Sequence, residues 1–237
     1  MVLSDSERGV SDRAKIYARK HKKVIAKEIA STEKFPKEEG PVSVFMAGSP
    51  GAGKTESSKA LIETFGGGVL RIDPDELRNV FDEYDGSNSW LFQGAVSILV
   101  DKIHDLALMQ SQSFIFDGTL TNFERAKENI KRSLKRDRSV QILYVYQDPL
   151  TAWSFVQARE SVEGRRILLK HFIEQYFKAR ESVNRLKERF GSEVKLDLLL
   201  QNGDNLGRLY KANIDRIDNH VPEKYNPLSL ESLINRA

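Results

Sequence analysis

The sequence predicts an α/β fold in which a mostly parallel sheet carries helices on both faces. Short apolar runs alternate with longer amphipathic stretches along most of the chain, as in strands connected by helical crossovers. A glycine-rich loop joins the first run to a helix, and the next three runs each end at acidic residues. Ligands of parallel sheets bind beyond the carboxyl ends of the strands, so these polar residues are expected at one edge.

Composition limits the class of protein. The chain has 237 residues, of which 40% are hydrophobic and 30% charged, which suits one α/β domain with room for an appendage. A net charge of +3 is too small to indicate nucleic-acid binding by itself. The absence of cysteine excludes disulfides and thiolate catalysis, and no apolar run has membrane-spanning length. We therefore expect a cytoplasmic protein that does not use a membrane.

Residues 1–40 are predicted to form an N-terminal helical extension of a domain spanning residues 41–237. A thin apolar stripe at helical spacing is formed by Ile16, Val24, Ile25 and Ile29. A basic cluster lies among them, comprising Lys15, Arg19, Lys20, Lys22, Lys23 and Lys27. The cluster is either a patch for nucleic acid or a membrane surface, or a solvated helix face. Acidic residues follow it closely, which favours the solvated face.

The glycine-rich loop matches a phosphate-binding loop at every fixed position. It comprises Gly48, Ser49, Pro50, Gly51, Ala52, Gly53, Lys54 and Thr55, and Glu56 follows in the helix. The glycines permit positive φ, so backbone N–H groups can point at phosphate oxygens, and the helix N-terminus adds partial positive charge. The Lys54 amine can reach the β- and γ-phosphates, and the Thr55 hydroxyl can ligate Mg²⁺. A purely structural turn is the alternative, but the strand before and the helix after favour nucleotide binding.

The remaining elements are predicted from periodicity and turn residues. Short apolar runs predict further strands at 69–72, 114–116, 140–146 and 195–200. Amphipathic spacing predicts helices at 76–81, 90–110, 122–137, 150–163 and 167–190.

Two strand ends carry candidate catalytic groups. Asp73 and Asp75 follow the second strand, and Asp75 is the candidate base or orienting group for an acceptor hydroxyl. Asp73 would hold a backbone N–H or a metal-bound water. Both also suit a helix N-terminus, so we expect one aspartate to cap and Asp75 to act. After the third strand, Asp117 is a candidate metal-associated carboxylate and Thr119 a candidate acceptor contact, although Asp-Gly is also a strong turn pair.

A segment near 150–190 carries arginines around a glycine. Arg159, Arg165 and Arg166 lie on or between two predicted helices. Arginines over the transferring phosphates would act as a lid that excludes water and neutralises charge. The alternative is a salt-bridged surface, because acidic residues lie nearby at Glu160, Glu163 and Glu174.

The nucleotide is predicted to be ATP. GTPases read guanine with an Asn/Thr-Lys-x-Asp motif, and here Val194 stands in the first position before Lys195 and Asp197. Asn202, at the start of a polar loop, is a candidate contact to the base. The histidines have no metal-ligand spacing and are predicted to be structural or exposed.

The chain resembles the zeta toxin family, the kinase halves of bacterial toxin–antitoxin pairs. The matching segments are Gly48 to Thr55, Ile72 to Asp75 with Arg78 close behind, Phe116 to Thr119, and Arg159 to Arg166. Their combination in this order is much more specific than the phosphate loop alone. The resemblance implies a P-loop kinase-like fold.

The resemblance also implies a reaction, the ATP- and Mg²⁺-dependent phosphorylation of a sugar hydroxyl of UDP-N-acetylglucosamine or a related UDP-sugar. It implies phosphate and metal binding by Lys54 and Thr55 and activation of the hydroxyl by Asp75. Arg159, with Arg165 or Arg166, would stabilise the transferring phosphoryl group. The substrate contacts implied are Asp73, Arg78, Asp101, Asp117 and Thr119. A cognate antitoxin is the implied protein partner. Residues 1–40 lie outside the shared motifs, and they either dock this antitoxin or brace the fold.

Two other functions stay open on the sequence. The same architecture would serve a kinase for a small molecule or a polynucleotide 5′-hydroxyl, without toxin action. A nucleotide-gated switch with slow hydrolysis would need no acceptor, and the acidic strand ends argue against it. Nucleic acid is not an expected partner.

Overall fold

The computed structural model describes residues 3–164, 167–201, 208–221 and 225–236. Its strands are β1 (Val42–Ala47), β2 (Leu70–Ile72), β3 (Phe114–Phe116), β4 (Ser139–Tyr146), β5 (Val194–Gln201) and β6 (Arg208–Lys211). They form a six-stranded sheet in the order β2-β3-β1-β4-β5-β6. Neighbouring strands pair in parallel except β5 and β6, which are antiparallel. The predicted mostly parallel sheet is confirmed.

Helices cover both faces of this sheet, as predicted. They are α1 (Asp5–Ile29), α2 (Lys54–Thr64), α3 (Gln93–Met109), α4 (Phe123–Leu134), α5 (Pro149–Glu163), α6 (Leu169–Phe190) and α7 (Pro227–Ile234). Because side chains alternate along a strand, Val44 and Met46 of β1 pack towards α2. Phe45 lies on the opposite face, in the larger core that α3, α4 and α6 help to form. Among the described helices, none has the length and apolar character needed to span a membrane.

The strand register decides which residues meet at the carboxyl edge of the sheet. Phe116 lies level with Phe45 of β1 and with Ile72 of β2. The Asp117 amide also donates to the Ile72 carbonyl at 2.9 Å. Asp73 and Asp117 therefore leave the sheet side by side, next to the loop that follows β1.

The N-terminal helix is shorter than predicted and buries a different face. It ends at Ile29, where Gln110 and Gln112 donate to the Ala30 carbonyl at 2.8 and 3.0 Å. The predicted apolar stripe is wrong at Ile16 and Val24, which are 62% and 67% exposed. The buried positions of the helix are small residues, Ser11, Ala14, Ala18 and Ala26. Small side chains let α1 lie close to α3, which a stripe of isoleucines would prevent. The domain boundary at residue 40 stays a prediction.

Other elements also differ from prediction, and helix α7 was not predicted. The segments Glu76–Val80 and Ser89–Phe92 are 3₁₀ helices, so the long helix predicted from 90 begins at Gln93. Strand β6 was not predicted. Its Leu209 and Tyr210 are 51% and 52% exposed, so this edge strand lacks the alternation that marks a half-buried one.

Candidate active site

The phosphate-binding loop is held in shape by two glycines that no other residue could replace without displacement. Gly48 and Gly51 have φ of 137° and 73°, in the region that side chains avoid. A Cβ on Gly48 would lie 2.3 Å from the Val145 carbonyl oxygen of β4. A Cβ on Gly51 would lie 2.1 Å from the Ala152 carbonyl oxygen of α5. The loop is thus in backbone contact with both neighbouring elements.

The start of α2 provides the groups expected to meet a triphosphate. The Lys54 amine folds over the loop and donates to the Ser49 carbonyl at 2.6 Å. Gly53, at the N-cap, gives no side-chain cap, so the first backbone N–H groups of the helix remain available for an anion. Among the described residues, the half-buried Thr55 makes no hydrogen bond through its hydroxyl, which suits an oxygen ligand for Mg²⁺.

Two side chains from other elements reach the same helix turn. Arg159 of α5 lies 3.6 Å from Glu56, and the two side chains are 41% and 60% exposed. Gln201, at the end of β5, donates to the Ser57 hydroxyl at 3.2 Å. The predicted site residues Arg165, Arg166 and Asn202 lie outside the described residues.

The segment that stands where a guanine motif could lie, Val194 to Asp197, belongs to the largely buried strand β5. Asp197 lies in β5 and accepts hydrogen bonds from the Gln141 amide, the Tyr210 hydroxyl and the Asn213 backbone N–H. These bonds use both carboxylate oxygens for internal contacts, so Asp197 cannot serve as a base-reading residue. The expectation of ATP over GTP is consistent with this placement.

A buried arginine joins the two aspartates at the sheet edge. Arg71 Nη2 donates to Asp73 Oδ2 and, at 2.7 Å, to Asp117 Oδ2. Arg71 Nε donates to the Ser58 hydroxyl of α2 at 3.0 Å, and that hydroxyl also contacts Asp117 Oδ2 at 2.9 Å. A further pair links Arg71 Nη1 to the exposed Glu76 at 2.6 Å. The network connects β2, β3 and α2.

Burial dominates the ionisation of this network. It raises the pKa of Asp73 from 3.8 to about 6, against the opposing charge of Arg71 and with the help of the nearby Asp117 charge. Burial alone would lower the pKa of Arg71, but the hydrogen bond to Asp117 and the charges of Asp73 and Asp117 raise it overall. One guanidinium therefore serves two desolvated carboxyl groups.

Asp75 projects from the same turn. Its backbone N–H donates to Asp73 Oδ1 at 2.7 Å, so Asp73 caps the turn locally. The Asp75 carboxylate, which makes no capping bond, pairs with Arg78. Arg78 is buried, and its Nη2 contacts the Gln93 side-chain oxygen at 3.2 Å. Asp75, Arg78 and Gln93 form a chain of side-chain contacts from the turn after β2 to the start of α3.

That chain ends at a cleft of about 160 Å³ between α3, α4 and the sheet edge. Its floor is apolar and aromatic, with Phe45 and Phe116, and its mouth carries polar groups. The polar lining residues include Gln93, Ser97, Thr119, Thr121, Asn122 and Arg125. Pro74, immediately before Asp75, also lines it. The cleft has the mixed lining expected for a small-molecule site.

One predicted substrate residue, Thr119, belongs to this cleft, and a second, Asp101, contacts one of its lining residues. Thr119 lines it and lies 3.2 Å from the Thr121 hydroxyl. Asp101 does not line it but accepts from Arg125, which does, at 2.8 Å. Asp101 thus reaches the cleft through Arg125, and its role as a substrate contact stays a prediction.

Behind the floor lies His104, fully buried and in edge contact with the rings of Phe45, Phe114 and Phe116. Neither ring nitrogen has a hydrogen-bond partner within the described part of the chain. Burial, with the charges of Arg132 and Arg138, lowers the pKa of His104 from 6.5 to about 3. His104 is therefore a neutral core residue, in agreement with the prediction of a structural role.

Sequence reasoning missed Arg71, Gln93 and Arg125. Each carries a polar group from one element to a partner on another, and for Gln93 and Arg125 nothing local in the sequence marks such a pairing. For Arg71 a signal existed. A charged residue inside an otherwise apolar strand such as Leu70-Arg71-Ile72 needs a buried partner, and carboxylates follow directly.

Solved structures with the same fold include a chain from a toxin–antitoxin system and chains from a two-component complex. One comes from the PezAT chromosomal toxin–antitoxin system of Streptococcus pneumoniae, with a TM-score of 0.66, 15% identity, and coverage of 99% of this chain and 95% of that one. Another is the AvrRxo1-ORF1:AvrRxo1-ORF2 complex with sulphate ions, with a TM-score of 0.60, 15% identity, and coverage of 90% and 71%. The related complex with ATP has a TM-score of 0.57, 16% identity, and coverage of 86% and 66%. At these identities the likeness establishes the fold.

Sequence comparison adds a relative and a family. The adenylate kinase of Haloarcula marismortui is 33% identical over 94 residues, which are 36% of this chain. The match spans 44% of that enzyme's length, so it covers only part of it. The family model of the zeta toxin matches residues 26–215, which include the phosphate loop, both aspartate motifs and the cleft. The chain therefore belongs to the zeta toxin family.

Proposed function

We propose that this protein is an ATP-dependent kinase that phosphorylates a sugar hydroxyl of UDP-N-acetylglucosamine or a related UDP-sugar and so acts as a toxin. Family membership supports the phosphotransferase class and nucleotide binding. The observation that carries the acceptor half is the cleft beside Asp75, which opens at the same sheet edge as the phosphate loop. A phosphate donor and an alcohol acceptor can therefore meet at one place.

The donor half of the proposed site is the loop with the start of α2. Backbone N–H groups and Lys54 would hold the triphosphate, and the Thr55 hydroxyl would ligate Mg²⁺. When bound, Mg²⁺ reduces the negative charge on the β- and γ-phosphates. Arg159 lies beside Glu56 in the first turn of α2, from where it could contact the transferring group. The assignment of Arg165, Arg166 and Asn202 rests on their place in the sequence alone.

The acceptor half would bind the sugar nucleotide in the cleft. The aromatic floor suits a flat or apolar group, and Arg125 with Asn122 and Thr119 provides donors for phosphate or hydroxyl oxygens. Asp75, oriented by Arg78, would accept the proton of the attacking hydroxyl. The new bond forms between that oxygen and the γ-phosphorus, the bond to the bridging oxygen breaks, and ADP leaves.

A protein antitoxin is the proposed partner. The fold recurs in the PezAT toxin–antitoxin system and in the two-component AvrRxo1 complexes. Residues 1–40, which lie mostly before the residues that the family model matches, are a candidate dock.

The test is a product analysis. Purified protein is incubated with ATP, Mg²⁺ and, separately, UDP-N-acetylglucosamine, UDP-glucose, AMP and an oligonucleotide with a 5′-hydroxyl, and products are read by mass spectrometry. We expect one phosphoryl group to be added to a UDP-sugar only. Phosphorylation of AMP or of the oligonucleotide instead would establish the alternative kinase function.

Asp75→Asn supplies the matched test of mechanism. We expect kcat to fall by roughly 10²–10⁴-fold with ATP affinity unchanged, because only the proton acceptor is removed. Asp82→Asn, at an exposed carboxylate in the following loop, is the control and should retain activity. Expression of the wild type in a bacterium should arrest growth, and expression of Asp75→Asn should not. Full activity of Asp75→Asn would remove Asp75 from the mechanism.

A further inference from the structure

Arg71 is the cation that the two aspartates at the sheet edge share. Its side chain is 10% exposed and lies between Asp73 and Asp117, whose side chains are 8% and 5% exposed. Asp117 Oδ2 accepts from Arg71 Nε at 3.2 Å, from Arg71 Nη2 at 2.7 Å and from the Ser58 hydroxyl at 2.9 Å. Three donors saturate that oxygen. The described residues also contain no group of three or more acidic or histidine side chains able to hold a metal.

The same guanidinium connects the two halves of the site. Ser58 belongs to α2, which begins at the phosphate loop, and its hydroxyl contacts Arg71 Nε at 3.0 Å. On the other side Arg71 holds Asp73 Oδ2, while Asp73 Oδ1 accepts the Asp75 N–H at 2.7 Å. Each link is a charged or hydroxyl hydrogen bond in a partly buried place, where such bonds are stronger than in open water.

The link is needed because β2 is poorly anchored by the sheet itself. It has three residues, lies at the sheet edge and, among the strands that the structure describes, pairs only with β3. The segment that carries Asp75 follows directly and continues as a short 3₁₀ helix with an exposed side. Backbone pairing alone therefore leaves the distance between Asp75 and the phosphate loop loosely defined.

We propose that Arg71 is a positioning residue that fixes Asp75 against the phosphate loop, and that Asp117 anchors this arginine instead of binding a metal. The proposal rests on the kinase function for its catalytic consequence. A displacement of about 1 Å at a reacting group can reduce the rate by about 100-fold. Nucleotide binding depends on the loop and is not expected to change.

The first test is Arg71→Met in the full chain, with steady-state kinetics for ATP and the UDP-sugar. We expect kcat to fall about 100-fold while the KM for ATP stays within about threefold. Arg71→Lys keeps the charge but not the planar fork, so it should recover no more than about a tenth of the wild-type kcat. Arg13→Met is the control, since Arg13 makes a bidentate pair with Glu83 on the exposed surface. A kcat near wild type for Arg71→Met would overturn the proposal, and so would equal losses in kcat and ATP affinity.

The second test needs no turnover, so it separates this proposal from the proposed function. Urea unfolding of Arg71→Met, Asp117→Asn and the double variant forms a double-mutant cycle. We expect the double variant to lose clearly less stability than the two single losses predict together. Asp117→Asn should also leave the Mg²⁺ dependence of ATP affinity within about twofold, because one lost metal ligand would cost about tenfold or more. Additive losses, or a tenfold weaker Mg²⁺ dependence, would show that Asp117 does not act as the anchor. A chain that phosphorylates no UDP-sugar but passes this cycle would fail only the proposed function.

Should Arg71→Met fail to fold, Ser58→Ala removes a single hydroxyl from the same link. We expect a smaller fall in kcat, of about 3- to 10-fold, again with an unchanged KM for ATP. An unchanged kcat for this variant would contradict a link through α2.

Discussion

The donor and acceptor halves of the candidate site are built in opposite ways. The donor half is one continuous stretch, residues 48–56, and it presents mainly backbone N–H groups. The acceptor half consists of side chains from β1, the turn after β2, α3, β3 and α4, and long-range pairs such as Arg125 with Asp101 hold it together. A site made of backbone depends on conformation at a few positions, whereas a site made of side chains depends on many separate pairs. Substitutions in the donor half should therefore act through backbone strain, and substitutions in the acceptor half through the loss of single side-chain pairs.

The largest loss of ATP affinity and stability is expected at Gly51 in the donor half, where a side chain has no space. Gly51→Ala places a methyl group 2.1 Å from the Ala152 carbonyl oxygen at a φ of 73°. We expect ATP affinity to fall on the order of 100-fold and stability by about 2–4 kcal/mol, from strain and overpacking together. Isothermal titration with ATP and urea unfolding measure the two losses.

Gly66→Ala is the matched control for Gly51→Ala, because it shares the φ of 73° but meets nothing within 4 Å. It should cost about 1 kcal/mol of stability and leave ATP affinity unchanged. Equal effects of both substitutions on ATP affinity would mean that the fit of the loop against α5 is unimportant.

A smaller and more selective effect is expected in the acceptor half. Arg125→Met removes a cation from the cleft lining, and the KM for the acceptor should rise about 10- to 100-fold, as for the loss of a charged hydrogen bond. Asp101→Asn only loosens that arginine and should raise the KM about two- to fivefold. The KM for ATP should not change in either variant.

Arg132, about two turns further along α4, supplies a control for Arg125. Arg132 of α4 pairs with Asp105 of α3 in the same way that Arg125 pairs with Asp101, but Arg132 does not line the cleft. Arg132→Met should leave both KM values unchanged. If Arg132→Met weakens the acceptor as much as Arg125→Met does, general packing of α3 on α4 is responsible.

The same contrast explains what the sequence could predict. The phosphate loop, the strands around it and the aspartates at the strand ends follow from local patterns, because backbone conformation and periodicity are encoded within a few residues. The pairing of Arg71 with Asp117 joins positions 46 residues apart, and no local pattern records it. For α1 the sequence pattern predicts a stripe of large apolar residues. Close packing against α3 instead buries small residues such as Ala14 and Ala18.

Backbone amides do not titrate, so pH offers a way to separate the two halves. His104 lies behind the acceptor cleft with its pKa lowered from 6.5 to about 3 by burial. The neutral form stabilises the fold fully above pH 6.5, and this contribution is lost as the pH falls towards 3. Between pH 6.5 and 5 the loss is about 2 kcal/mol. Urea unfolding at both pH values gives the change in the free energy of unfolding between them. This change should differ by that amount between the wild type and His104→Leu. The same pH dependence of the free energy of unfolding in both proteins would mean that His104 can take up a proton in the folded state.

Asp73 gives a smaller effect of pH on stability than His104, and with the opposite sign. Its pKa is raised from 3.8 to about 6, so the folded state holds a proton that the unfolded state releases. The stabilisation is fully present below pH 3.8 and is lost as the pH rises through 6. Lowering the pH from 6.5 to 5 should thus stabilise the protein by about 1 kcal/mol through Asp73, against the loss through His104. Asp73→Asn should make the protein more sensitive to acid over this interval, whereas His104→Leu should make it less so. If both variants make the protein less sensitive to acid, Arg71 keeps Asp73 ionised in the folded protein. The acceptor half is then held by a full ion pair on each side of that arginine.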